Sequence, residues 1–116
     1  MKYALLIYGE EEAWNALSED EARDVYRRYG EFGEWLQERG LLRGGEELAS
    51  TSAATSVRRV DGRIEATDGP YAESKEQLGG FYLIECDNLD QAIEAASRIP
   101  AAERGTIEVR PVAVHD

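Results

Sequence analysis

Residues 67–80 read TDGPYAESKEQLGG. An Asp-Gly-Pro turn, a tyrosine, two glutamates, a lysine and a double glycine fall within this short segment. Asp68 can bond backbone amides two residues on, Gly69 permits an unusual φ, and Pro70 fixes its own. The combination predicts a rigid turn. Residues 72–77 then predict a single helical turn, and Gly79-Gly80 lets a backbone or ligand come close to the start of the next strand. Everything on either side reads as ordinary helix or strand. The segment therefore divides the chain into a strand–helix–hairpin portion and a strand–helix–strand portion.

Downstream, residues 81–86 predict a strand, with Phe81 and Leu83 alternating against Tyr82, Ile84 and Cys86. Asn88 caps a helix, with Gln91 completing a capping-box-like pair. Leu89, Ala92, Ile93, Ala96 and Ile99 are its expected buried face, and Pro100 ends it. Residues 106–114 form the last strand, with Ile107 and Val109 inward; Pro111 there requires a sheet edge or a bulge.

Upstream, Asp61-Gly62 is a two-residue hairpin signal, since both φ angles must turn positive. It joins Thr55–Val60 to residues 63–67, with Arg58 and Arg63 exposed. A short strand or bulge is expected at residues 46–48, beyond Gly44-Gly45. Ser18 and Glu21 form a capping box that opens a helix over residues 19–39. Its apolar stripe is Ala22, Val25, Tyr26, Tyr29, Phe32, Gly33 and Leu36, at the spacing of an amphipathic helix, and Gly40 stops it. Residues 9–17 read as a polar loop, and residues 2–8 (KYALLIY) as a strand apolar on both faces.

A chain of 116 residues fits one domain, residues 1–116. Its 42% hydrophobic content argues for a packed core despite 32% charged residues. The net charge of −11 repels phosphate backbones and anionic lipid, so no nucleic-acid or membrane partner is expected. No apolar run approaches the ~20 residues of a spanning helix. The opening segment lacks a leader pattern, which predicts a cytoplasmic protein. Cys86 stands alone in an apolar strand and reads as a small buried hydrophobe rather than a reactive thiol.

The element order is that of an α+β, ferredoxin-like β-α-β-β-α-β fold, with two helices on one face of an antiparallel sheet. The other sheet face is too apolar to stand in water. Pairing with a second copy would cover it, which predicts a homodimer.

KYALLIYG at the start, DGPYAESKEQLGGFYLIEC in the middle and NLDQAIEAASRIP…GTIEVRPV at the end resemble the YCII-related proteins. The branch it is most similar to is named for an Asp-Gly-Pro-Phe (DGPF) signature, read here as Asp68-Gly69-Pro70-Tyr71. The resemblance implies a dimeric α/β barrel. It also implies an uncharacterised activity, with some relatives acting on small aromatic or lactone-like molecules by elimination or isomerisation. Genes of that branch lie near those of alternative sigma factors, which implies a stress or regulatory context. In the wider family a His–Asp pair is proposed as catalytic; where relatives carry that histidine this chain has Tyr29, and its one histidine is His115 near the C-terminus.

If the protein is an enzyme, Asp68 is the expected general base, provided that burial raises its pKa toward neutrality. The competing reading is that its oxygens accept amide hydrogens of the turn. Tyr29 and Tyr71 are hydroxyl donors that could position a carbonyl, against core packing as the alternative. Glu73, Lys75 and Glu76 read either as a solvated loop or as groups orienting a ligand, Lys75 by its charge. One histidine and one cysteine cannot build a zinc site, no calcium-loop spacing occurs, and no phosphate-loop, dinucleotide or nucleophile-elbow motif is present. Haem would lack its usual histidine ligand. No cofactor and no metal are expected. Two readings follow: a cofactor-free lyase or isomerase acting on a small organic molecule, or a non-catalytic module that senses a small molecule or joins proteins as a dimer.

Overall fold

The computed structural model describes residues 1–116. In chain order the elements are β1 (Lys2–Gly9), a short helix α1 (Glu11–Asn15), a long helix α2 (Glu19–Glu38), β2 (Leu42–Glu47), β3 (Thr55–Val60), β4 (Arg63–Asp68), β5 (Gln77–Glu85), α3 (Leu89–Ser97) and β6 (Thr106–Pro111). Single 3₁₀ turns stand at Thr51–Ala53 and Pro100–Glu103.

Four strands form one antiparallel sheet in the order β2-β5-β1-β6. β1 thus runs parallel to β2 with β5 between them, and β5 runs parallel to β6 with β1 between. Each pair is a split β-α-β unit, crossed over by α2 in the first and α3 in the second. Such crossovers are right-handed. The second unit reverses both strand direction and the direction of the step, so the two helices share one face. This is the ferredoxin-like arrangement that the element order predicts.

The core lies between that face and the helices. Tyr3 and Leu5 of β1, Ile84 of β5 and the adjoining Cys86 meet Phe32 and Leu36 of α2, Ala92, Ala95 and Ala96 of α3, and Ile99. The capping box is present as expected: Ser18 accepts from the Glu21 amide at 3.1 Å, and Glu21 accepts from the Ser18 amide at 2.9 Å. Asn88 likewise caps α3 by accepting from the Gln91 amide at 3.0 Å.

Several expectations are corrected. α3 turns Ala92, Ala95, Ala96 and Ile99 inward and leaves Leu89 and Ile93 exposed. Alanines let the helix lie close on the sheet, whereas branched side chains fit its flank. Residues 9–17 are not all loop, because α1 forms within them. The second strand lies earlier than residues 46–48, at Leu42–Glu47, with Arg43 bulged out where the register with β5 shifts. A Cβ on Gly45 would stand 2.7 Å from the Phe81 carbonyl oxygen, so only glycine lets β2 close on β5 there. No helical turn forms at residues 72–77. Gln77 instead opens β5, and its Nε2 donates to the Ser74 carbonyl at 2.8 Å. β5 therefore begins before residue 81 and takes the double glycine into the sheet. β6 stops at Pro111, which is tolerated because β6 is an edge strand.

The predicted hairpin forms, with Asp61 at φ 49° and Gly62 at φ 78°. It does not join the main sheet. β3 and β4 pair only with each other, and every residue of the two strands except Ser56 is exposed. The chain therefore carries a projecting ribbon. Its Cα radius of gyration is 16.2 Å, against roughly 13 Å for a compact chain of this length.

On the main sheet, alternation sends Ala4, Leu6 and Tyr8 of β1 away from the helices, in register with Leu83, Phe81 and Leu78 of β5. The helix-side core includes none of them. This second face has no helix layer.

Candidate functional site

At one end of the uncovered face lies an open concavity of about 600 Å³. Tyr8 and Leu78, paired across β1 and β5, form its floor. One wall is the turn Ser50–Ala54, and the opposite wall is Pro70, Tyr71 and Ala72, which follow directly from the ribbon. The Asp-Gly-Pro-Tyr turn is thus both the root of the ribbon and a side of the pocket.

Each wall is tied down by local chemistry. Glu11, on α1, accepts from the Thr51 amide at 2.7 Å and from the Thr51 hydroxyl at 2.9 Å. These bonds hold the Glu11 carboxyl below its usual pKa, the amide bond foremost. Across the pocket, the Gly69 amide donates to the Ala54 carbonyl and the Ser56 hydroxyl to the Gly69 carbonyl, both at 2.8 Å. At the floor, the Tyr8 hydroxyl donates to Glu108 at 3.3 Å, and Thr106 donates to Glu76 at 3.1 Å. The site is an apolar floor rimmed by hydroxyls.

The residues singled out from sequence fall in different places. Tyr71 lines the pocket and is 85% exposed. Lys75 lies beyond it, ion-paired with Glu10 at 3.4 Å, and Glu73 is exposed on the same loop. Asp68 ends β4, exposed, and its carboxylate accepts no hydrogen bond within the chain; the turn's own amides do not engage it. Tyr29 is on α2 and packs against the helix-side core. The sheet separates it from the pocket, so the chain brings Tyr71 and the Asp68 turn together but not Tyr29.

Tyr29 belongs to a second cluster that sequence reasoning passed over. The Tyr26 hydroxyl contacts both oxygens of Glu47, at 3.3 and 3.1 Å, and Trp14 meets the Tyr26 ring edge-on at 5.5 Å. Burial pushes the Tyr29 phenol up to about 12, with Tyr82 and Glu47 adding to it. Burial also raises Tyr82, with the Glu47 charge behind it, and Tyr26, with its Glu47 bond and charge behind it. Three phenols are thus held neutral around one carboxylate. The i, i+3 spacing of Tyr26 and Tyr29 was readable on α2; their meeting with Glu47 depends on where β2 ends.

No group of three or more histidine, cysteine, aspartate or glutamate side chains converges as a metal site.

A YCII-related domain model matches residues 1–115. The chain belongs to the YCII-related family. It is also 39% identical, over 117 aligned residues, to an uncharacterised protein of Rhizobium meliloti (strain 1021), an alignment that takes in 99% of this chain and 94% of that relative. Tyr29, with its phenol pushed up to about 12 by burial, can donate a hydrogen bond but not serve as a base near neutral pH.

Proposed function

We propose that this protein is a cytoplasmic, homodimeric module that binds a small organic molecule in the concavity beside the Asp-Gly-Pro-Tyr turn. The observation that carries the reading is the pocket's construction: an apolar floor of Tyr8 and Leu78 with the exposed Tyr71 ring on one wall and Ser50 and Thr51 on the other. Such a lining suits a flat, weakly polar ligand that stacks on tyrosine and takes one or two hydrogen bonds. The net charge of −11 disfavours an anion, and Lys75 is already paired with Glu10. The uncovered apolar face of the sheet supports the homodimer, and the free, buried Cys86 fits a reducing compartment.

A catalytic reading, as a cofactor-free lyase or isomerase, keeps one observation in its favour. The Asp68 carboxylate has no hydrogen-bond partner within the chain and adjoins the turn that walls the pocket.

The experiment is calorimetry with a panel of simple phenols, aromatic esters and aromatic lactones, on the wild type, Tyr71→Ala and Asp68→Asn. Binding by a panel member that Tyr71→Ala weakens about tenfold supports the site. Turnover abolished by Asp68→Asn with binding retained would favour catalysis. Binding that Tyr71→Ala leaves intact, or none across the panel, removes the reading.

A further inference from the structure

The β3–β4 ribbon is amphipathic in a way that a free arm does not need. In its register Thr55 stands opposite Asp68, Val57 opposite Ala66 and Arg59 opposite Ile64, so Val57, Ile64 and Ala66 share one face with Thr55, Arg59 and Asp68. Ser56, Arg58, Val60, Arg63, Glu65 and Thr67 make up the other. Val57 is 65% and Ile64 72% exposed. An isolated two-stranded hairpin is marginal in water, and this one packs its apolar face on nothing in its own chain.

Surface area says how large the missing partner is. The chain exposes 8408 Å², whereas a compact monomer of its mass exposes roughly 6,300 Å². The excess, about 2,000 Å² per chain, falls in the range that an obligate dimer buries.

Charge says what kind of surface can approach. The ribbon holds three arginines and three acids, so the whole of the −11 resides elsewhere on the chain. Arg58, Arg59 and Arg63 make no hydrogen bond or ion pair within the chain, whereas most other basic side chains do. Two bodies of this charge repel each other. A neutral arm with unpaired arginines is the segment suited to reach an acidic surface.

We propose that the ribbon is an exchanged arm, whose Val57–Ile64–Ala66 face lies on a second copy of this chain. The inference rests on the homodimer proposed above and deepens it. The ribbon continues directly into Pro70 and Tyr71, so docking it also fixes one wall of the ligand pocket. Assembly and ligand binding are then coupled through the Asp-Gly-Pro-Tyr turn.

The test is sedimentation equilibrium on three proteins: the wild type, Val57→Arg with Ile64→Arg on the apolar face, and Glu65→Gln with Thr67→Ser on the opposite face. All these residues are exposed and outside the core, and far-UV circular dichroism checks that the body folds. The expected result is a dimer whose Kd rises more than ~100-fold in the first pair and less than ~3-fold in the second. Hydrogen exchange on the wild type gives a reading that needs no variant. Ribbon amides should be protected in the dimer, and exchange of residues 55–68 at the rate of an unstructured chain would overturn the proposal. A dimer that the apolar-face pair leaves intact, or that both pairs weaken equally, overturns the arm and spares the homodimer. A wild type that stays monomeric overturns both.

Discussion

Tyr29 shows how one residue's chemistry follows from its surroundings rather than its type. A tyrosine on the apolar stripe of a helix could be read as core or as a pocket hydroxyl. Burial on the helix side of the sheet makes it core, and the same burial pushes its phenol up to about 12. A folded-state pKa above the unfolded value of about 10 means that the native state keeps a proton the unfolded chain has lost. Stability is therefore fully present below pH ~10 and falls as pH rises through the interval to about 12, with Tyr82 and Tyr26 acting in the same direction. Urea unfolding across that interval should show the decline, and Tyr29→Phe should make it shallower. An unchanged slope in Tyr29→Phe would assign the alkaline loss to the other two phenols. Asp68 invited a role by its type, but it stands exposed at the end of β4 and its carboxylate has no hydrogen-bond partner in its own chain.

Among the elements, α2 was the most legible. Its start is written in the Ser18–Glu21 pair and its stop in Gly40, which sits at φ 67°. Both marks act over a single turn of chain, so sequence suffices to read them. Replacing Ser18 by alanine should cost about 1 kcal/mol in chemical denaturation, because an orphan amide at the helix start loses its acceptor. A change within error would mean that water replaces the cap without loss. α3 shows the limit of periodicity. Leu89, Ala92, Ile93 and Ala96 carry the i, i+3, i+4, i+7 spacing, and so do Ala92, Ala95, Ala96 and Ile99. Hydrophobicity favours the first set. The structure buries the second, because a helix that must lie close to a sheet presents its smallest side chains. The missing turn at residues 72–77 has a similar cause: Gln77 and Leu78 gain ladder bonds by joining β5, and a helical turn would forfeit them.

At the scale of the whole molecule, the ribbon is neutral and the rest of the chain strongly acidic, and assembly should report the difference. Two bodies that each carry the −11 repel through water. Raising ionic strength from about 10 mM to about 150 mM shortens the screening length from ~30 Å to ~8 Å. The Kd of the proposed dimer, measured by sedimentation, should fall over that range. A Kd that rises instead would mean that ion pairs made by Arg58, Arg59 and Arg63 outweigh the repulsion of the bodies.

The sequence by itself determined the two helices, the Asp61-Gly62 hairpin, the ferredoxin-like order and the family, because caps, turns and hydrophobic periods act over a few residues. Only the tertiary structure decided that the hairpin leaves the sheet and that β2 closes on β5 through Gly45. It alone put Tyr29 and the Asp68 turn on opposite sides of the sheet, and Tyr26, Tyr29 and Tyr82 around Glu47. Each of those depends on which face of a strand meets which neighbour. A strand's side chains alternate between two faces, so sequence marks which residues travel together, whereas pairing and crossover decide what they meet.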